Sequence, residues 1–167
     1  MKYPFSKLTV KVILEVFRDS KVTVFQDSHG TAFAWLPVSD GLTTHYECLG
    51  IRTKHFLSKC LKLIAKATNK TPDRGDLKDA IEELELKSYL QPQRELGLRR
   101  REKDGEVFID LGDASGQMVK ITPEGWTTVR PEEPMFYRNP HMSALPMPVS
   151  GGNVEDIFEF FPVSSPE

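Results

Sequence analysis

Cysteine is scarce in this chain: Cys48 and Cys60 are the only two among 167 residues. Two thiols build no disulfide framework, and the expected location is a reducing, cytoplasmic one. No run of 18 apolar residues exists, so the sequence offers no membrane span. The N-terminal MKYPFSKLTVKVILEVF lacks the continuous apolar stretch and small-residue cleavage site of a secretion signal. A phosphate-cradling G-x-x-x-x-G-K-[ST] loop and a G-x-S-x-G nucleophile elbow are both missing, and neither cysteine has an activating setting. The expectation is therefore a non-enzymatic chain that needs no cofactor. Its 39% apolar content is enough for a core, and its 28% charged content keeps that core solvated.

The net charge of −2 conceals blocks. Residues 49–72 carry six bases (Arg52, Lys54, Lys59, Lys62, Lys66, Lys70) and no acid. Residues 94–103 carry five bases (Arg94, Arg99, Arg100, Arg101, Lys103) against two acids. From residue 104 onward the chain is acidic, with eleven acids against three bases. Local basic patches of this kind are what phosphate backbones require.

Along the chain, residues 6–18 place apolar side chains at 10, 13, 14 and 17, a helical stripe. KVTVFQD, a turn at SHG and TAFAWLPV make a hairpin, and LTTHYECL after Asp40-Gly41 adds a third strand. The segment 53–69 is the clearest helix, with Thr53 as cap. Phe56, Leu57, Cys60, Leu61, Leu63, Ile64 and Ala67 form its apolar face, and Lys59, Lys62, Lys66 and Lys70 its outer face. A second helix is expected over about 76–89, capped by Asp76, with Leu77, Ala80, Ile81, Leu84 and Tyr89 facing inward. Two further hairpins turn at Asp104-Gly105 and Pro123-Glu124-Gly125. Grouped helices between consecutive antiparallel strands predict an α+β fold: a three-stranded and a four-stranded β-meander, a central helix pair and an N-terminal helix. Trp35 and Trp126 are both expected in the core.

Three chemical constellations present themselves. His45, Cys48, His55 and Cys60 have spacings that zinc could use, but His45 and Cys48 point to opposite faces of one strand, and Cys60 lies on an apolar helix face. Asp27, His29 and Asp110 suggest a metal-dependent nuclease, yet Gln117-Met118-Val119-Lys120 offers no acid two residues before its lysine. No metal site is predicted. The third is nucleic-acid binding, resting on Lys59, Lys62 and Lys66 of the helix and on Arg99, Arg101 and Lys103, which alternation sets on one face of a strand. The competing readings are a solvated helix face and a charge-guarded sheet edge.

Proline is concentrated after residue 130, and proline at that density opposes helix interiors and central strands. Residues 1–130 are thus expected to form the α+β domain, and 131–167 an extended neck leading toward a further domain. Val154, Ile157, Phe158, Phe160 and Phe161 near its end would then pack on a neighbour or on this domain.

VFQDSHGTAFAWLPV, IRTKHFLSKCLKLIAKATNKTP, EVFIDLGDASGQMVKITPEGWTTVR and MFYRNPHMSALPMPVSGGNVEDIFEFF, in that order over residues 20–161, resemble a family of phage, plasmid and genomic-island proteins. These carry a C-terminal P-loop ATPase of the primase–helicase type. Asp110-Leu111-Gly112, Gly125-Trp126 and Leu145-Pro146-Met147-Pro148-Val149 with Gly151-Gly152 are its most specific pieces. The resemblance implies an N-terminal accessory domain that grips DNA or a replication partner while an ATPase domain in cis translocates. The ATPase core is absent here, so no Walker lysine carries over. The leading expectation is a non-catalytic nucleic-acid-binding domain, DNA being the expected ligand. Its rivals are a protein-interaction or homo-oligomerisation domain and a cryptic nuclease.

Overall fold

The computed structural model describes residues 7–39, 44–139 and 141–153. Ten elements follow in the order α1 (Val10–Asp19), β1 (Thr23–Gln26), β2 (Ala32–Ser39), β3 (Thr44–Gly50), α2 (Lys54–Thr68), α3 (Arg74–Ser88), β4 (Arg100–Lys103), β5 (Glu106–Asp110), β6 (Met118–Thr122) and β7 (Gly125–Val129). The fold is α+β, with two antiparallel meanders ordered β1-β2-β3 and β4-β5-β6-β7. No helix among the described residues is long and apolar enough to cross a membrane.

The first sheet is buried on both faces. Ala32, Ala34, Leu36 and Leu49 meet a helical layer in which Ile13, Val16 and Phe17 of α1, Phe56, Cys60 and Ile64 of α2, and Leu77, Ala80 and Leu84 of α3 converge. Alternation sends Phe25, Phe33, Trp35 and Cys48 to the opposite face, where Leu96 and Tyr137 cover them. Each large side chain buried this way contributes about 1.5–3 kcal/mol.

The helices begin and end for local reasons. Thr53 caps α2 by accepting from Phe56 N (3.1 Å), and Asn69 closes it in the left-handed conformation at φ 57°. The start of α3 lies two residues before the sequence expectation: Asp73, not Asp76, is its cap, accepting from Gly75 N at 3.0 Å. Asp76 falls inside the first turn, where a carboxylate suits the helix dipole. Tyr89 does not face inward; it is 58% exposed, and Ser88 occupies the buried position at that end.

In the second sheet, Asp104 (φ 54°) and Gly105 (φ 79°) both adopt the left-handed conformation that a tight two-residue hairpin demands. Phe108 and Met118 on one face of this sheet pack against Met135 and Phe136. The other face carries Val107, Ile109, Val119, Ile121 and Trp126 by alternation. Trp126 is consequently 45% exposed rather than in the core, because its strand is the sheet edge and its ring points away from Met135 and Phe136.

Residues 134–138 of the proline-rich segment join the two halves. Tyr137 bridges Cys48 at the open edge of β3, and Phe136 bridges Gly97, both in parallel. Arg138 follows, its backbone N donating to Cys48 O (3.1 Å). Its guanidinium grips the buried Asp110 carboxylate at two points, Nη2 to Oδ1 at 2.7 Å and Nε to Oδ2 at 3.1 Å, while Nη1 donates to Asp113 O at 2.7 Å. A bidentate, largely desolvated pair of this kind is strong only while both members are present.

Arg138→Met is therefore expected to cost about 3–5 kcal/mol by stranding the Asp110 charge. Urea unfolding measures it, and Asp110→Asn/Arg138→Met should lose clearly less than the sum of the two single variants. A loss below about 1 kcal/mol for Arg138→Met would show that the pair does not hold the halves together.

Candidate nucleic-acid interface

Helix α2 turns Phe56, Cys60, Ile64 and Thr68 into the core, so residues three and four apart on its opposite side share an outer face. Lys59, Lys62 and Lys66 open onto one groove of about 360 Å³ between this helix and the β2–β3 end of the first sheet. Pro37, Val38 and Leu63 form its apolar floor, Thr44 adds a hydroxyl, and no acid lines it. Lys62 and Lys66 are exposed and have no ion-pair partner among the described residues. Lys66 also stands in the last turn of α2, where a cation complements the helix dipole.

Lys59 behaves differently because β3 places a carboxylate beneath it. Glu47 is buried and accepts from His45 Nε2 at 3.0 Å. Lys59 Nζ lies 3.3 Å and His55 Nε2 3.6 Å from its second oxygen. Burial alone would raise the Glu47 pKa, but the Lys59 ammonium and the His45 hydrogen bond outweigh it and hold this carboxyl below the usual range. The cluster thus anchors the first turns of α2 to the strand and fixes where the lysine face points. His45 is itself wedged by the β5–β6 loop. Gly116 sits at φ 70°, and a Cβ there would come within 2.6 Å of the His45 Cβ. Only glycine combines that conformation with that approach.

Glu47 was not among the sequence candidates. Its signal was present in the strand alternation, which sets an acid at an inward position paired with Leu36. A carboxylate at such a register needs a cation nearby.

The three candidates of the second basic block are turned to contacts within the protein, while Arg94 and Arg100 of the same block stay exposed. Arg99 donates to the Asp110 and Leu111 carbonyls, both at 3.3 Å, and to the Ser143 carbonyl. Arg101 is half-buried, with its Nε enclosed and without a hydrogen-bond partner among the described residues. Lys103 pairs with Glu133, which Arg94 also contacts at 3.2 Å. The hydrogen bond from Lys103 holds the Glu133 carboxyl below its ordinary pKa. Arg101 and Lys103 do share a face, as alternation predicts, but it is the face that carries Phe108 and Met118.

The remaining constellations resolve into structural tasks. Asp27 Oδ1 accepts from His29 N (3.0 Å) and Thr31 N (2.8 Å) to close the first hairpin. Asp110 is committed to Arg138. Cys48 and Cys60 are buried on opposite sides of the first sheet, and desolvation raises both thiol pKa values. No three His, Cys, Asp or Glu side chains form a metal-binding group among the described residues. Val154–Phe161 lie outside the described residues.

Compared with protein-family models, curated proteins and solved structures, the chain matches none.

Because its folded pKa lies below the unfolded value, Glu47 contributes stability that is complete above the ordinary glutamate range. That contribution is lost as pH falls through the ordinary range and then through the folded pKa. Glu47→Gln should cost about 1–3 kcal/mol near neutral pH. Denaturation series should also show the variant losing less stability than the wild type between about pH 6 and pH 3. Parallel acid profiles for the two proteins would remove the Glu47 charge from the account.

Proposed function

We propose that this chain is a non-catalytic nucleic-acid-binding accessory domain, and that phosphates seat in the α2 groove. One observation carries the reading: Lys59, Lys62 and Lys66 converge on a single groove without acids, and two of the three are exposed and unpaired among the described residues. Buried Glu47 holds the base of this face in place, so the lysine heads are presented by a rigid helix and not by a mobile loop. Ammonium groups on such a scaffold bind through phosphate neutralisation and counterion release, without reading base sequence.

The resemblance to the region preceding the ATPase of mobile-element primase–helicase proteins supports DNA as the ligand, an ATPase domain in cis as the partner and the cytoplasm as the setting. In that role the domain holds the strand while the motor acts on it. Lys62 and Lys66 are assigned to phosphates directly, and Lys59 to the inner end of the groove. Arg99 and Lys103, engaged elsewhere, and the half-buried Arg101 are assigned to the fold.

Fluorescence anisotropy with labelled single-stranded DNA, duplex DNA and RNA at low and physiological salt tests this. Saturable, salt-sensitive binding is expected. Lys62→Glu/Lys66→Glu should weaken it at least about tenfold and reduce the log–log salt slope by about 2 on duplex. Lys103→Ala should leave affinity within about twofold, since an exposed pair with Glu133 contributes little to either property. Absence of wild-type binding even at low salt would make the lysine face an ordinary solvated surface.

A further inference from the structure

The two outer strands of the second sheet are treated in opposite ways. β4 reads RREK, with Arg100–Glu102 and Lys103–Glu133 ion pairs along it, and charge of that density guards an edge against pairing. β7 reads GWTTV, with no charge and no proline. It is the last strand of its sheet, and nothing among the described residues hydrogen-bonds to its outer side.

We infer that β7 is a homodimer edge: β7 of one copy pairs antiparallel with β7 of a second copy about a two-fold axis through Thr127. This goes beyond the nucleic-acid reading and does not depend on it.

The backbone parity agrees. The two-residue turn Pro123-Glu124 closes on the Thr122–Gly125 pair, so ladder alternation commits Gly125, Thr127 and Val129 to β6. The N–H and C=O groups of Trp126 and Thr128 point outward. Centred on Thr127, the pair sets Trp126 of each copy against Thr128 of the other, and every one of those outward groups finds a partner. Thr127 meets its own copy at a non-hydrogen-bonded position, where a threonine pair is favourable.

The flanks select this register. Residues 123–131 read PEGWTTVRP, and rotation about Thr127 sets Glu124 against Arg130 and Pro123 against Pro131. Both charged residues are exposed, and neither has an ion-pair partner among the described residues. Shifting the register by two residues one way sets Glu124 against Thr128. Shifting it the other way sets Glu124 against Glu132. Either slip forfeits both cross-copy charge pairs, and the second adds a repulsion. The axis also brings the Trp126 rings onto one continuous face with Ile121 and Val107 of both copies. A strand of five residues buries little area, so the dimer should be weak and concentration-dependent.

Sedimentation equilibrium of the full chain from low to high micromolar concentration is the test. The mean mass should rise from the 19.0 kDa of one chain toward twice that value. Glu124→Arg and Arg130→Glu should each weaken association roughly tenfold, and the double swap should restore it. Thr127→Cys, which meets itself at the axis, should form an intermolecular disulfide on mild oxidation. Cys48 and Cys60 are buried and do not compete. A chain that stays monomeric with no cross-link overturns the inference. So does a dimer indifferent to both charge reversals, which would place the contact elsewhere, the Val154–Phe161 segment included.

Discussion

Asp110 and Arg138 stand 28 residues apart, and their buried contact is the constraint on which the arrangement of the two sheets depends. Asp110 ends the strand that carries Phe108 into the smaller core. Arg138 ends the segment in which Tyr137 closes the outer face of the first sheet and Phe136 fills the second core. Hydrophobic contacts alone would tolerate small slides between these parts, since apolar burial has no direction. A bidentate guanidinium–carboxylate pair does not, because a slide would leave two charges in a dry site. The neighbouring carbonyl contacts of Arg99 and the fit of Gly116 against His45 use the geometry that the pair enforces.

The same economy governs the remaining charges. Glu47 draws Lys59, His45 and His55 toward the end of β3, and Glu133 draws Lys103 and Arg94 toward the proline-rich segment. Each acid converts bases that look like a ligand surface in the sequence into parts of the scaffold. Of the six bases proposed for phosphate contact, Lys62 and Lys66 are left both exposed and unpaired among the described residues. The groove at α2 is basic by subtraction as well as by composition. It is also firm, since the anchoring acid is buried and its neighbours are held by backbone structure.

Most of the architecture could be read from local pattern. The hairpin turns at Asp104-Gly105 and Pro123-Glu124, the Thr53 cap and the apolar faces of α1 and α2 rest on interactions between residues a few positions apart, and periodicity records those. The starting point of α3 was harder because Asp73 and Asp76 are both good caps. Asp73 takes the position, extended at φ −63° and ψ 148° with its carboxylate accepting from Gly75 N. Trp126 defeated a simple rule that large aromatics are buried, since it lies on the outermost strand of its sheet, where the cover that buries Val119 on the same face leaves it 45% exposed.

The sequence by itself determined which segments become helices and strands, where the turns fall and that lysines recur along one side of α2. Each is settled within one or two turns of chain, where steric preference and side-chain period act. Only the tertiary structure decided which charges remain available. Glu47 is 12 residues from Lys59, Glu133 is 30 from Lys103, and Asp110 is 28 from Arg138. Pairing over such distances depends on how the sheets and the proline-rich segment come together. The fold thereby separates the two basic blocks into a lysine groove and a set of bases most of which pair with neighbouring acids and carbonyls.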